Sequence, residues 1–396
     1  MMPITLNRRE LAGSLGDLGV LLPMAAGMIM VNGMYARGLF AGVGLFYIAA
    51  GLYFRTTIPV QPMKVIGSLA IAMALPREQI LAAGLCVGII LLAIGLTGAM
   101  NRLAKLIPKP VVRGVQLSTA LLLMAQGVRF VLGTSSFQRE CRAAEPFMAV
   151  HSLGPLPLHW VLGVLALLAT LYFLNNKKLP AALVVVCSGV LVGLLFGGPE
   201  TDLILAPSLP SLLPAGFPSA SAFTTALFVL ALPQLPMTLG NAVVANADLA
   251  QEYFGEDAVK TTNKNLCISM GLANIGGFLL GGMPMCHGAG GLAAHYRFGA
   301  RSAGSNLIIG AVFVVLAVLL GPNVAAVARL IPMSVLGVLL FFGGAQLALA
   351  VQDMRERSDL FVCLTIVGVT LASNLALGYV LGAAAYYALR SGKISI

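Results

Sequence analysis

Apolar runs of roughly 17–25 residues, the length at which an α-helix spans a hydrocarbon layer, recur along this chain between short polar or Gly/Pro-rich breaks. Seven lie at about 10–30, 36–54, 57–75, 79–98, 110–132, 157–174 and 179–197, and seven more at about 221–248, 265–282, 284–296, 302–320, 328–351, 359–374 and 376–391. The pattern predicts an all-α polytopic membrane protein of fourteen transmembrane segments. A Pro-rich stretch at 198–219, carrying Glu200 and Asp202, separates the two sets and reads as an external loop. A second loop, 133–156, holds Arg139, Glu140, Arg142 and Glu145 and has room for a short surface helix.

Two segments are interrupted. The third carries Ile58-Pro59-Val60-Gln61-Pro62-Met63-Lys64, and the tenth carries Gly281-Gly282-Met283-Pro284-Met285-Cys286-His287-Gly288. Proline has no N–H to give and steers the residue before it away from the α region. Extended backbone at membrane depth survives only where it pairs or lines a cavity. Short antiparallel strands are therefore expected around Ile58–Gln61 and Gly282–Cys286, each followed by a half-helix that begins inside the membrane. Unpaired amides and the positive end of the helix dipole converge at such a start, which makes it a ready anion site.

The two sets repeat one another. Leu15-Gly16-Asp17 matches Leu239-Gly240-Asn241, and Leu106-Ile107-Pro108 matches Leu330-Ile331-Pro332, both at a separation of 224. Pro59 and Pro284 are 225 apart. A unit of seven spans is odd, so its second copy enters from the other side: a 7+7 inverted repeat, with segments 3 and 10 meeting at mid-depth.

Composition agrees with the periodicity. The chain is 59% hydrophobic and 10% charged, with a mean hydropathy of +0.94, and forms a single transmembrane unit. The opening MMPITLNRREL leads into a long Gly-rich run and reads as a first span, not a cleaved leader. The formal charge of +10 follows from topology. With both termini in the cytoplasm of an inner (plasma) membrane, the inside turns receive seventeen Lys and Arg against six outside, without a nucleic-acid partner. Lys64 is the one cation left over. Neither the six cysteines nor the four histidines are spaced for metal, and no Walker A or nucleophile-elbow motif occurs, so no cofactor and no enzyme chemistry is expected.

Four stretches, ELAGSLGDLGVLLP (Glu10–Pro23), PVQPMK (Pro59–Lys64), LPQLPMTLGNAVVANADLA (Leu232–Ala250) and PMCHGAGGLAAHYRFGAR (Pro284–Arg301), together resemble the molybdate transporter family related to the sulfate permease (SulP) group. The resemblance covers nearly the whole chain. It implies a core domain at about 1–100 and 220–322, a gate domain at about 101–200 and 323–396, a homodimer, and a tetrahedral oxyanion, molybdate or sulfate, as substrate. No STAS domain is expected after Ile396.

Within these motifs Lys64 begins one half-helix and is placed either to reach an anion or to pair with Asp17. His287 lies at the matching place in the tenth segment as a ligand or an orienting group, beside the backbone of Cys286 and Gly288. Pro62 and Met63 bracket the third-segment turn. Gln61 and Gln234, the latter in the broken region Leu232-Pro233-Gln234-Leu235-Pro236, offer neutral donors that hold an oxyanion without trapping it, joined by Thr238 and Asn241. A carboxylate beside a dianion repels it unless protonated or paired, which makes Asp17, and Asp248 after it, candidate proton carriers. Coupled in this way, the chain reads as a secondary-active oxyanion transporter working by alternating access, with protons as the coupling ion. The rivals are a nucleobase or other anion:proton symporter on the same fold, and a passive anion channel.

Overall fold

The computed structural model describes residues 3–100, 102–103, 108–176 and 179–391. Leu106 and Ile107 of one repeated motif, and Lys105, Lys177, Lys178 and Lys393 of the basic turns, lie outside the described residues. Six helices among those described are long and apolar enough to cross a membrane: Ala36–Phe54, Arg77–Thr97, Lys109–Glu140, Ala220–Ala258, Gly304–Arg329 and Met333–Asp353. A seventh span arises if Arg8–Ser14 and Leu18–Met30, bent by 43° at the Leu15-Gly16-Asp17 break, count as one.

Three helix pairs dominate the packing: Lys109–Leu132 on Met333–Ala348, Arg77–Thr97 on Asn263–Leu280, and Ala36–Phe54 on Gly304–Leu320. Glycine sets the close approach in each. A Cβ on Gly127 or on Gly337 would stand 2.5 Å from the other's carbonyl oxygen, and the same test gives 3.2 and 3.0 Å for Gly88 and Gly271, and 2.7 and 2.8 Å for Gly44 and Gly310. Lipid offers no hydrophobic drive for helices to associate, so contact between bare backbones supplies the attraction.

Between these pairs run the interrupted segments. The strands are shorter than expected, Gln61–Pro62 and Met285–Cys286, paired antiparallel with Gln61 opposite Cys286 and Pro62 opposite Met285. Pro59, Pro62 and Pro284 cannot donate to a ladder, which limits its length. Two buried asparagines satisfy backbone groups that the ladder leaves unpaired. Asn306 accepts from Ile58 N (3.1 Å) and donates to Ile58 O (2.7 Å), while Asn274 accepts from Met285 N (2.9 Å) and donates to Met285 O (2.7 Å). Half-helices then start at Lys64, running to Met73, and at Ala289, running to Arg297.

One expectation is corrected. The region Leu232-Pro233-Gln234-Leu235-Pro236 is not a break, because the helix is continuous over Ala220–Ala258. It absorbs both prolines by widening into π-turns at Ala226–Ala231 and Thr238–Val244 on either side, where i→i+5 bonding leaves room for residues with no N–H to give. The loop at 133–156 does carry a short helix, Ser136–Glu140, closed by a capping box at Ser135 and Gln138.

Candidate functional site

The two half-helices end their approach differently. At the first, Gln234 Oε1 accepts from Val65 N (2.9 Å) and Ile66 N (3.2 Å), and Gln234 Nε2 donates to Thr238 Oγ1 (2.9 Å). Gln234 and Thr238, expected as substrate donors, are thus buried and occupied in capping this half-helix. Among the described residues no side chain accepts from Ala289 N or Gly290 N at the start of the second, so these two N–H groups stay available to a ligand.

His287 is also placed away from the ligand side. Its Nδ1 lies 2.8 Å from Pro59 O and must donate there, which leaves Nε2 to accept from Ser269 Oγ at 3.0 Å. Phe46 and Phe54 pack on the ring, with centroids 4.6 and 5.8 Å away. Asn246 donates to its carbonyl. Cys286 Sγ faces Pro62 O, and Met63 N donates to Pro284 O (2.9 Å). Pro62, Met63, Cys286 and His287 therefore form the strand crossing and its backing, and none of them lines the open space.

That space is a cavity of about 590 Å³. Of the residues singled out from the sequence, Asp17, Gln61, Lys64 and Asn241 line it, together with Gly290. Gly288 contributes by what it lacks, since a Cβ there would run into Gln61 Oε1. At Gly291 a Cβ would lie 2.7 Å from Asp17 Oδ2 and 2.8 Å from Gln61 Nε2. Only glycine at both positions lets Asp17 and Gln61 seat against the start of the second half-helix. Asp248 is exposed and lines no part of the cavity.

Asp17 is 2% exposed and Gln61 1%, and Gln61 Nε2 lies 2.6 Å from Asp17 Oδ1. Among the described residues, Asp17 Oδ2 and Gln61 Oε1 have no hydrogen-bond partner. Asp17 precedes the helix Leu18–Met30 without capping it, and Lys64 acts on it through charge without a hydrogen bond.

The same cavity is lined by residues that the sequence analysis did not single out: Arg113, Gln116, Arg297 and Gln346. Arg113 is fixed by Asp353, with Nε to Oδ1 at 3.0 Å and Nη2 to Oδ2 at 2.6 Å, and donates to Gln116 Oε1 at 2.6 Å. Arg113 and Arg297 entered the sequence reading only as inside charges. The available signal was spacing. Gly290, Ala294 and Arg297 fall at i, i+4 and i+7 on one helix face, and Arg113 and Gln116 sit one turn apart. Lys64, Arg113 and Arg297 against Asp17 leave the cavity wall cationic, which suits an anion.

A family model described as the molybdate transporter of the MFS superfamily matches residues 9–123 and 226–347. The chain is 32% identical over 419 residues to molybdate transporter 2 of Arabidopsis thaliana, an alignment covering 96% of this chain and 87% of that one. Its fold is similar to the transmembrane domain of a cyanobacterium bicarbonate transporter, BicA (TM-score 0.65, 19% identity, 96% and 97% covered). It is similar as well to the murine Solute Carrier 26 family member A9 anion transporter in the inward-facing state (TM-score 0.68, 14% identity, 100% and 70% covered). The four motifs, the apolar helices and these matches lead to one conclusion: the chain belongs to the molybdate transporter family, related to the sulfate permeases, and is a membrane transporter, not an enzyme.

Proposed function

We propose that the protein is a secondary-active transporter that carries a tetrahedral oxyanion, molybdate first and sulfate second, by alternating access with proton uptake. The observation that carries this reading is that one cavity is lined both by Asp17, Gln61, Lys64, Asn241 and Gly290, from 1–100 and 220–322, and by Arg113, Gln116 and Gln346, from 101–200 and 323–396. On this reading the first group belongs to a core domain (1–100 and 220–322) and the second to a gate domain (101–200 and 323–396), and sliding one wall past the other opens the site to each side in turn. Lys64 and the free amides at the start of Ala289–Arg297 hold the anion, Asn241 adds a neutral donor, and Asp17 takes the coupling proton. The molybdate transporter from Arabidopsis supports the choice of substrate.

A 7+7 inverted repeat underlies this arrangement. Lys64 and Ala289, the first residues of the half-helices, are 225 apart. The same offset carries Ala36–Phe54 onto Asn263–Leu280 and Arg77–Thr97 onto Gly304–Leu320, so it exchanges two of the dominant helix pairs with each other. In orientation, both termini face the cytoplasm of the plasma (inner) membrane, as the Lys and Arg asymmetry favours.

Uptake of labelled molybdate into proteoliposomes, with sulfate and uracil as competitors, tests the reading. Saturable uptake that sulfate inhibits and uracil does not is expected, driven by an inward proton gradient. Inhibition by uracil points instead to the nucleobase symporter, and flux without saturation or accumulation points to a channel.

A further inference from the structure

The Asp17–Gln61 pair carries more than a proton-binding carboxyl. The distance between Asp17 Oδ1 and the Gln61 amide is 2.6 Å, inside the usual O–H···O range and shorter than the usual N–H···O range of about 2.7–3.2 Å. An amide presents oxygen and nitrogen at opposite ends, and the two orientations occupy the same volume. In one, Nε2 donates to an ionised Asp17 and Oε1 is the end without a partner. In the other, a protonated Asp17 donates to Oε1 and the two N–H donors of Nε2 take the unpartnered position. That position is beside Gly288, whose missing side chain leaves the space the amide end fills, and Gln61 lines the cavity.

We infer that Gln61 is the positioning residue that converts proton binding at Asp17 into oxyanion binding, by turning its amide. An ionised Asp17 makes Gln61 present an acceptor, which repels the anion; a protonated Asp17 makes it present donors, which hold the anion. The proton comes from the cavity and adds to a carboxylate oxygen, and no other bond breaks. Substrate and proton then favour each other's binding by the same factor, as linkage requires. The groups facing the pair keep this arrangement local: Lys64 on the first half-helix, Tyr47 on Ala36–Phe54, bonded to Val60 O, and Cys286 on the opposing strand. None of them bonds to the free oxygen of Asp17.

This inference rests on the oxyanion reading and is tested by molybdate binding to the purified full chain at about pH 5.5 and about pH 8. The wild type is expected to bind about tenfold tighter at the lower pH. Asp17→Asn can donate to Gln61 Oε1 at any pH, so it should bind with the tight value at both. Gln61→Ala should bind at least tenfold more weakly at low pH and lose the pH dependence although Asp17 is still present. If Gln61→Ala keeps the pH dependence of the wild type, or Asp17→Asn binds with the weak value at both pH values, the amide switch is overturned. Tight wild-type binding that does not vary with pH overturns it as well and leaves oxyanion transport standing. No molybdate binding by the wild type at either pH removes the transport reading itself. Should Gln61→Ala fail to fold, Gln61→Met, which keeps the volume and has no amide to turn, is read in its place with the same two outcomes.

Discussion

Gln61 and Cys286 face each other across the antiparallel strand pair and are 225 positions apart, the same offset that separates the first residues of the two half-helices, Lys64 and Ala289. On the proposed inverted repeat, this pairing marks where the two-fold axis would run. The carboxamide of Gln61 therefore sits where both half-helices begin, beside the open end of the second.

Lys64 is the cation at this point, and its removal leaves a dianion with one fewer opposite charge. Lys64→Ala is expected to weaken molybdate binding at least tenfold, about 1.4 kcal/mol, as read by calorimetric titration. Affinity equal to that of the wild type would take Lys64 out of the site.

Gly291 tests the seat of the Asp17–Gln61 pair. A methyl group there meets Asp17, Gln61 and Pro59 Cβ, the last at 2.7 Å, so Gly291→Ala should cost about 1–3 kcal/mol of stability through overpacking and lower oxyanion affinity. Gly276 has open space around its Cβ position, and Gly276→Ala serves as the control that should leave affinity unchanged. Thermal unfolding and binding measured on the same preparations separate the two effects.

Gln234 should behave as a structural residue. Gln234→Ala strands the amides of Val65 and Ile66, both in buried surroundings, at a cost of about 1–3 kcal/mol. A lower unfolding temperature is expected, with the competition between molybdate and sulfate unaltered. A change in that competition without loss of stability would return Gln234 to the ligand set.

Glu145 predicts a pH effect on stability away from the cavity. Its carboxylate, in the loop outside the apolar helices, accepts from Met333 N (2.6 Å), Ser334 N (2.9 Å) and Ser334 Oγ, capping the helix Met333–Ala348. Burial outweighs these donors and pushes its carboxyl up from about 4.5 to about 7. With the folded value raised, the native protein keeps a proton that the unfolded chain has released. The contribution to stability is full below about pH 4.5 and is lost as the pH rises to about 7, at up to about 1.4 kcal/mol per pH unit. Unfolding in detergent across this range should show that decline in the wild type and not in Glu145→Gln, with the two curves parallel above about pH 8.

Parts of the site were legible because their cause is local. Pro59, Pro62 and Pro284 interrupt their helices, so the crossing strands and both half-helices could be located; Gln61 and Lys64 followed as polar residues beside those breaks, and Asp17 and Asn241 as polar groups within apolar spans. The prolines at 233 and 236 misled for a related reason. A π-turn on each side restores a continuous helix, and nothing in the five-residue motif announces that repair. Which way a polar side chain faces is not local either. His287 and Gln234 have the chemistry of ligands, yet Pro59 and Ser269 claim one and the backbone of Val65 and Ile66 claims the other.

By itself, the sequence determined that the chain is a helical membrane protein with two broken segments and an excess of cations, since hydrophobic length, proline geometry and charge act over a few residues at a time. The share of the cavity lining that comes from Arg113, Gln116 and Gln346, and the use of Gly288 and Gly291 as seats for Gln61 and Asp17, were decided only by tertiary structure. These depend on contacts between residues more than one hundred positions apart, fixed by which glycine-lined helix faces pack together, and no local pattern encodes that choice.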